Sequence, residues 1–232
     1  MTRTSSSIGH VIGIRHVRAR SLRLGAALVV LFALAPAAAL AATQEDKTQF
    51  SINAGSLSFS TTPAMPTLSS VTLNGEAQTT NTTMTNFGVA DSTGTGSGWN
   101  VTVEGQSGTG KSAVFAEYCP KAKCGAESEG YIGSGATLPA DSLTLTSTGA
   151  SFSAQNGSTG TAPTLQCSNA CNVDHATGVK IASAAVNAGL GTWLTGGFSG
   201  ASLALSTPST LKVLPNEEVY RVNLLWTLGT GP

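Results

Sequence analysis

The chain has 232 residues, with 12 basic and 12 acidic side chains, a formal net charge of zero and only 10% charged residues. That balance excludes the basic stripe through which proteins hold nucleic acid or anionic lipid. Beyond an N-terminal leader, about 190 residues can bury roughly 70% of their unfolded surface, which suits one core and one domain.

Arg3, Arg15, Arg18, Arg20 and Arg23 form a basic n-region, and residues 25–40 form an apolar run containing Pro36. Ala39-Leu40-Ala41 follows, then the polar Thr43-Gln44-Glu45-Asp46. This order predicts a secretory signal peptide over 1–41, cleaved after Ala41, and a mature domain over 42–232. An uncleaved anchor is the alternative, although the run is short of the ~20 residues that a bilayer span needs. Cleavage removes five of the 12 basic residues and leaves 7 against 12 acidic ones, a net charge of −5. The mature protein is thus read as secreted and mildly acidic.

Short strands and turns follow. Residues 50–53 and 57–59 alternate around Gly55, and 71–73 lead into Asn74-Gly75, a dipeptide that favours a tight hairpin. After a candidate strand at 84–89 comes Gly94-Thr95-Gly96-Ser97-Gly98-Trp99-Asn100-Val101-Thr102-Val103. Trp99, Val101 and Val103 point one way and Asn100, Thr102 and Glu104 the other, the period of a half-buried strand. Gly105-Gln106-Ser107-Gly108-Thr109-Gly110-Lys111-Ser112 then matches the phosphate-loop pattern G-x-x-x-x-G-K-[ST] in full. A phosphate loop needs a helix whose N-terminus faces the phosphates, whereas here a short run reaches Pro120 and no parallel βαβ unit is legible. The segment is read as a Gly/Ser-rich loop with one lysine, and no nucleotide is expected.

Four cysteines form two clusters, Cys119/Cys124 and Cys167/Cys171. They permit three connectivities. Local bridges Cys119–Cys124 and Cys167–Cys171 are expected in an exported chain, with cross-pairing the alternative. A four-thiolate zinc site is the sharper reading, but it suits an oxidising exterior poorly, so no metal or cofactor is expected. The mature chain keeps one histidine, His175, beside Asp174. Sequence neighbours on an extended segment point apart, so this pair does not read as part of a triad. No G-x-S-x-G elbow precedes a helix, and Glu217-Glu218 reads as a solvated strand entrance. No catalytic residue is assigned. Further strands are expected at 112–118, 142–146, 179–184, 202–205 and 211–214, with an Ala-rich stretch at 181–190 able to form a short helix. Trp193, among glycines in a loop-like setting, is a candidate for an exposed ring. Many short strands at this spacing predict an all-β fold, an antiparallel sandwich or barrel-like domain.

The last strand is Tyr220-Arg221-Val222-Asn223-Leu224-Leu225-Trp226-Thr227-Leu228, with Tyr220, Val222, Leu224, Trp226 and Leu228 on one face. A Gly-rich turn into G-W-x-V-T-V, followed by a terminal Y-x-V-x-L-x-W-T-L, resembles the WxL domain family of bacterial cell-surface proteins. The resemblance spans about 50–232, and the first motif departs from it by reading Trp-Asn-Val. It implies a non-enzymatic protein held non-covalently to cell-wall peptidoglycan, in a structural or display role beside other surface proteins. The alternative is a self-assembling or partner-binding subunit that uses a sheet edge; a secreted glycan hydrolase is a weaker third. The motif residues Trp99, Val101, Trp226 and Leu228 share their faces with apolar neighbours and are expected in the core rather than at the ligand. Trp193, Arg221 and Asn223 are the candidate ligand-facing residues. Arg221 and Asn223, opposite Trp226, are expected to be dispensable for folding.

Overall fold

Among the described residues, alternating polarity and glycine-rich turns give regular structure made only of short antiparallel strands. A computed structural model describes residues 45–120 and 128–232. The predicted leader over 1–41, its cleavage site and Cys124 lie outside the described residues. The chain divides into Met1–Gln49, of which 45–49 are described and carry no regular structure, and the compact unit Phe50–Pro232.

The strands run β1 (Leu57–Thr61), β2 (Gln78–Thr82), β3 (Gly88–Asp91), β4 (Trp99–Gly105) and β5 (Ala116–Cys119). Then come β6 (Gly130–Tyr131), β7 (Leu143–Leu145), β8 (Ser151–Gln155), β9 (Thr164–Leu165) and β10 (Cys171–Asn172). The last five are β11 (Val179–Ala184), β12 (Gly191–Gly196), β13 (Leu203–Thr207), β14 (Val219–Arg221) and β15 (Leu224–Thr230). They form four sheets, ordered β1-β3-β12-β8, β10-β7-β13-β2, β15-β4-β11-β9 and β14-β5-β6. The result is sandwich-like, all-β and not a closed barrel.

Its centre is aromatic. Trp99, Val101 and Val103 of β4 are fully buried, in the strict alternation that the sequence predicts. Packed with them are Val89, Phe152 and Trp193 of the first sheet and Phe87, just before β3. Phe152 meets Phe87 and Trp99 edge-on, each at a centroid distance of 5.9 Å, a favoured aromatic geometry. The indole of Trp99 donates to the Gly189 carbonyl at 3.1 Å, so its one polar atom is satisfied. Leu143, Leu145, Leu203 and Leu205 extend the core beneath the β10-β7-β13-β2 sheet.

Several expected elements differ. Residues 50–53 join no sheet, leaving Phe50 and Ile52 exposed. Residues 71–73 and 211–214 are likewise outside strands, and Asn74 forms a local turn with the Glu76 amide rather than a hairpin. The Ala-rich stretch is β11 followed by a turn, not a helix. Its small side chains admit Trp99: a Cβ on Gly189 would lie 2.6 Å from the Trp99 indole nitrogen.

Cys167 and Cys171 form the expected local bridge, with Cα atoms 5.4 Å apart. Cys119 is also disulfide-bonded. Asp174, fully buried, is not free to serve His175. Its two carboxylate oxygens accept the Ser142 and Leu143 amides at 3.1 and 2.9 Å, pinning the start of β7. Burial raises its pKa, against the opposing pull of those backbone bonds. A carboxyl whose folded pKa is raised keeps its proton longer in the fold than in the unfolded chain. Its contribution to stability is therefore fullest below the unfolded value of about 3.9 and declines as pH rises through the folded one. Asp174→Asn should leave one buried amide without an acceptor and cost about 1–3 kcal/mol, measured by urea unfolding. Wild-type stability in that variant would contradict this capping role.

Candidate functional site

The two tryptophan strands are neighbours. β15 pairs antiparallel with β4, setting Trp226 opposite Val103, Leu228 opposite Val101 and Thr230 opposite Trp99. The third positions of the two motifs, Val101 and Leu228, thus face each other directly. Bonds from Gln106 N to Asn223 O (2.7 Å) and from Gly231 N to Gly98 O (2.9 Å) flank the ladder. They fix the odd residues of β15 as its bonded partners on β4. Leu228 and Val101 are therefore a non-hydrogen-bonded pair, the kind that brings side chains closest. A branched aliphatic side chain meets that need, so valine serves where the other motif has leucine.

The motif residues are not equivalent. Trp99 and Val101 are sealed in the core, whereas Trp226 and Leu228 are half-buried against it. The Trp226 ring packs on Phe87 at 6.0 Å and also lines a surface groove of about 870 Å³. Tyr220, Val222 and Leu224 continue that lining, and segments 63–73 and 211–214 form the rims. The even-numbered face, expected in the core, is only half so: it packs against the core on one side and lines the groove on the other. Trp226→Ala should cost about 3 kcal/mol, the low end for an aromatic truncated to alanine, because part of the ring is already solvated. A melting temperature equal to wild type would show that the ring packs against nothing structural.

On the other side, the terminal segment is not one strand. It breaks at Val222-Asn223, between β14 in the β14-β5-β6 sheet and β15 in the β15-β4-β11-β9 sheet. Asn223 is the joint. Its side-chain oxygen accepts the Tyr131 hydroxyl at 2.6 Å and the Ser112 amide at 3.3 Å, and its own amide donates to Ser112 O at 2.8 Å. The expectation that Asn223 is a dispensable, ligand-facing residue is therefore corrected: it ties two sheets together. Arg221 is exposed as predicted, and its guanidinium lies 3.9 Å above the Tyr118 ring. Tyr118 and Tyr131 meet edge-on at 5.0 Å, and Tyr118 donates to Glu129 at 3.1 Å. Burial raises the Tyr131 pKa, partly offset by Arg221. The aromatic pair was missed from sequence because its members come from β5 and β6, joined only through pairing.

Trp193 is also corrected. It sits on β12, only 4% exposed, and its indole donates to the Leu190 carbonyl at 2.9 Å. The surrounding glycines bound a buried strand, with Gly191 and Gly197 at φ of +88° and +81°.

The phosphate-loop lookalike has a structural explanation. Gly105 is buried where a Cβ would come within 2.1 Å of the Ala113 carbonyl oxygen. Gly108 pairs with Lys111 across a tight turn, and Lys111 Nζ donates to Gln106 Oε1 at 2.8 Å. The chain then passes to β5 without a helix, so no helix N-terminus faces the loop. His175 lies 3.4 Å from Asp141 through Nδ1. Among the described residues, no group of three or more histidine, cysteine or acidic side chains is placed to hold a metal.

The two motif strands thus pair side by side in an all-β sandwich, one tryptophan sealed in the core and the other half-open to a groove. The chain belongs to the WxL family, the WxL domain surface cell wall-binding family, whose model matches residues 42–232. Comparisons with curated proteins and with solved structures gave no match.

Proposed function

We propose that this chain is exported through cleavage after Ala41 and binds peptidoglycan non-covalently, as a structural or display component working with other surface proteins. The family match over 42–232 carries this reading. The surface around the terminal motif supplies the chemistry. Arg221, exposed and held over the Tyr118 ring, presents guanidinium donors suited to the carboxylates of wall stem peptides. The groove lined by Trp226 and Tyr220 offers aromatic surface to sugar faces.

Sedimentation with purified peptidoglycan tests the reading. Wild-type protein should pellet with the wall material. Arg221→Ala should weaken binding by about tenfold while changing stability by less than ~1 kcal/mol, because an exposed cation–π contact contributes little. Failure of the wild type to pellet would refute peptidoglycan as the ligand, and full binding by Arg221→Ala would move the contact away from this patch.

A further inference from the structure

Among the described residues, β15 is the longest edge strand of the four sheets. β15 pairs with β4 alone. Because its odd residues bond to β4, the amides and carbonyls of Leu224, Trp226, Leu228 and Thr230 point away from the sheet. β1 comes near β15 but does not pair with it. Sheet edges are normally protected by brevity, charge, proline or a bulge. Edge strands β6, β9 and β10 have two residues each, β14 has three, β2 is wholly polar, β1 is irregular between Phe59 and Thr61, and β8 is five residues with Phe152 as its one large apolar side chain. β15 has seven residues, Leu-Leu-Trp-Thr-Leu-Gly-Thr, with no charge, no proline and an unbroken register.

We propose that a second copy of this chain pairs with this edge, β15 against β15 antiparallel about a twofold axis at Thr227. The free groups are themselves symmetric about that residue. Leu224 would meet Thr230 of the other copy, and Trp226 would meet its Leu228, so all four outward residues of each copy become bonded pairs. A register moved by two residues loses one of these pairs and, in one direction, sets Trp226 against itself, in the other Leu228 against itself. In the Thr227 register each half-buried indole lies beside an aliphatic side chain, a favourable cross-strand pairing. Thr227 faces Thr227 on the exposed side. An isologous contact of this kind closes at two copies and leaves no growing end. Such pairing in solution is independent of wall binding.

The axis gives the test. Thr227 is exposed on an edge strand, so Thr227→Lys and Thr227→Glu should each leave the monomer folded, as circular dichroism and thermal melting would report. Each change sets like charges opposite one another at the axis and should weaken dimerisation by at least about tenfold in sedimentation equilibrium. An equimolar mixture of the two variants should form a heterodimer that neither forms alone. In wild-type protein, hydrogen exchange at Leu224, Trp226, Leu228 and Thr230 should slow with concentration, while Leu225 and Thr227 stay protected throughout. Wild-type protein that remains monomeric into the millimolar range overturns the proposal. So does a dimer insensitive to both substitutions, or one that the mixture fails to restore. If either charged variant misfolds, the exchange pattern of the wild type decides alone: no concentration dependence at the four outward amides refutes the pairing.

Discussion

Trp99→Ala is expected to remove about 5 kcal/mol of stability, the upper end for truncation of a buried aromatic residue. Three losses coincide. The ring is fully buried, so its area returns no compensating solvation, and its removal leaves a cavity between the β15-β4-β11-β9 and β1-β3-β12-β8 sheets. The edge-on contact with Phe152 disappears. The Gly189 carbonyl loses the indole donor that held the turn after β11. Against a typical total of about 5–15 kcal/mol, much of the folded population would be lost near physiological temperature. Urea unfolding should show a lower midpoint with an unchanged slope. A midpoint close to wild type would mean that the sheets close over the gap, and the central role of Trp99 would have to be abandoned. Trp226→Ala, from the partner strand, should do less because its ring already meets solvent in the groove.

This asymmetry marks how far the sequence could be read. Both motif strands were legible, since a period of 2 with aromatic and β-branched residues is a local signal. Their adjacency was not, because the Val101–Leu228 contact joins positions far apart in the chain. The break at Asn223 was hidden for a related reason: alternation of the apolar face continues across it, while the backbone changes sheets. Trp193 misled through its glycines, which suggested a loop but bound a strand whose ring faces inward. The Ala-rich stretch suggested a helix by composition, yet Ala182 and Ala184 are buried strand residues set opposite Val101 and Trp99 of β4. At 50–53 the alternation was real, but no strand pairs with it. Of the candidate site, Arg221 was placed correctly on an exposed face. Its tyrosine support came from two other strands and could not be read locally.

Gly98→Ala is expected to be nearly as damaging as loss of Trp99, by about 3 kcal/mol or more, although it adds only a methyl group. Gly98 holds φ at +74°, a region that side chains rarely adopt. A Cβ there would sit 2.4 Å from the Ala184 carbonyl oxygen and 2.9 Å from that of Ala185. Both obstacles are backbone, at the last residue of β11 and the one after it, so no side-chain rotation relieves the clash. Relief requires moving β4 away from β11, which breaks the bed that seats Trp99. The glycine before the first tryptophan is thus part of the motif's physics: it turns the chain sharply enough to drop the indole into the core. Asp91 holds the preceding turn, accepting the Thr93 amide and hydroxyl at 3.0 and 2.7 Å. A second substitution separates the turn from the strand. Gly94→Ala, also at positive φ but with open space around it, should show backbone strain alone and cost about 1 kcal/mol. Thermal melting of the two variants decides the matter. Equal, small shifts would show that strain rather than the β4–β11 approach sets the cost. A Gly98→Ala protein that melts far below Gly94→Ala, with loss of near-ultraviolet signal from Trp99, would locate the damage where the two strands meet.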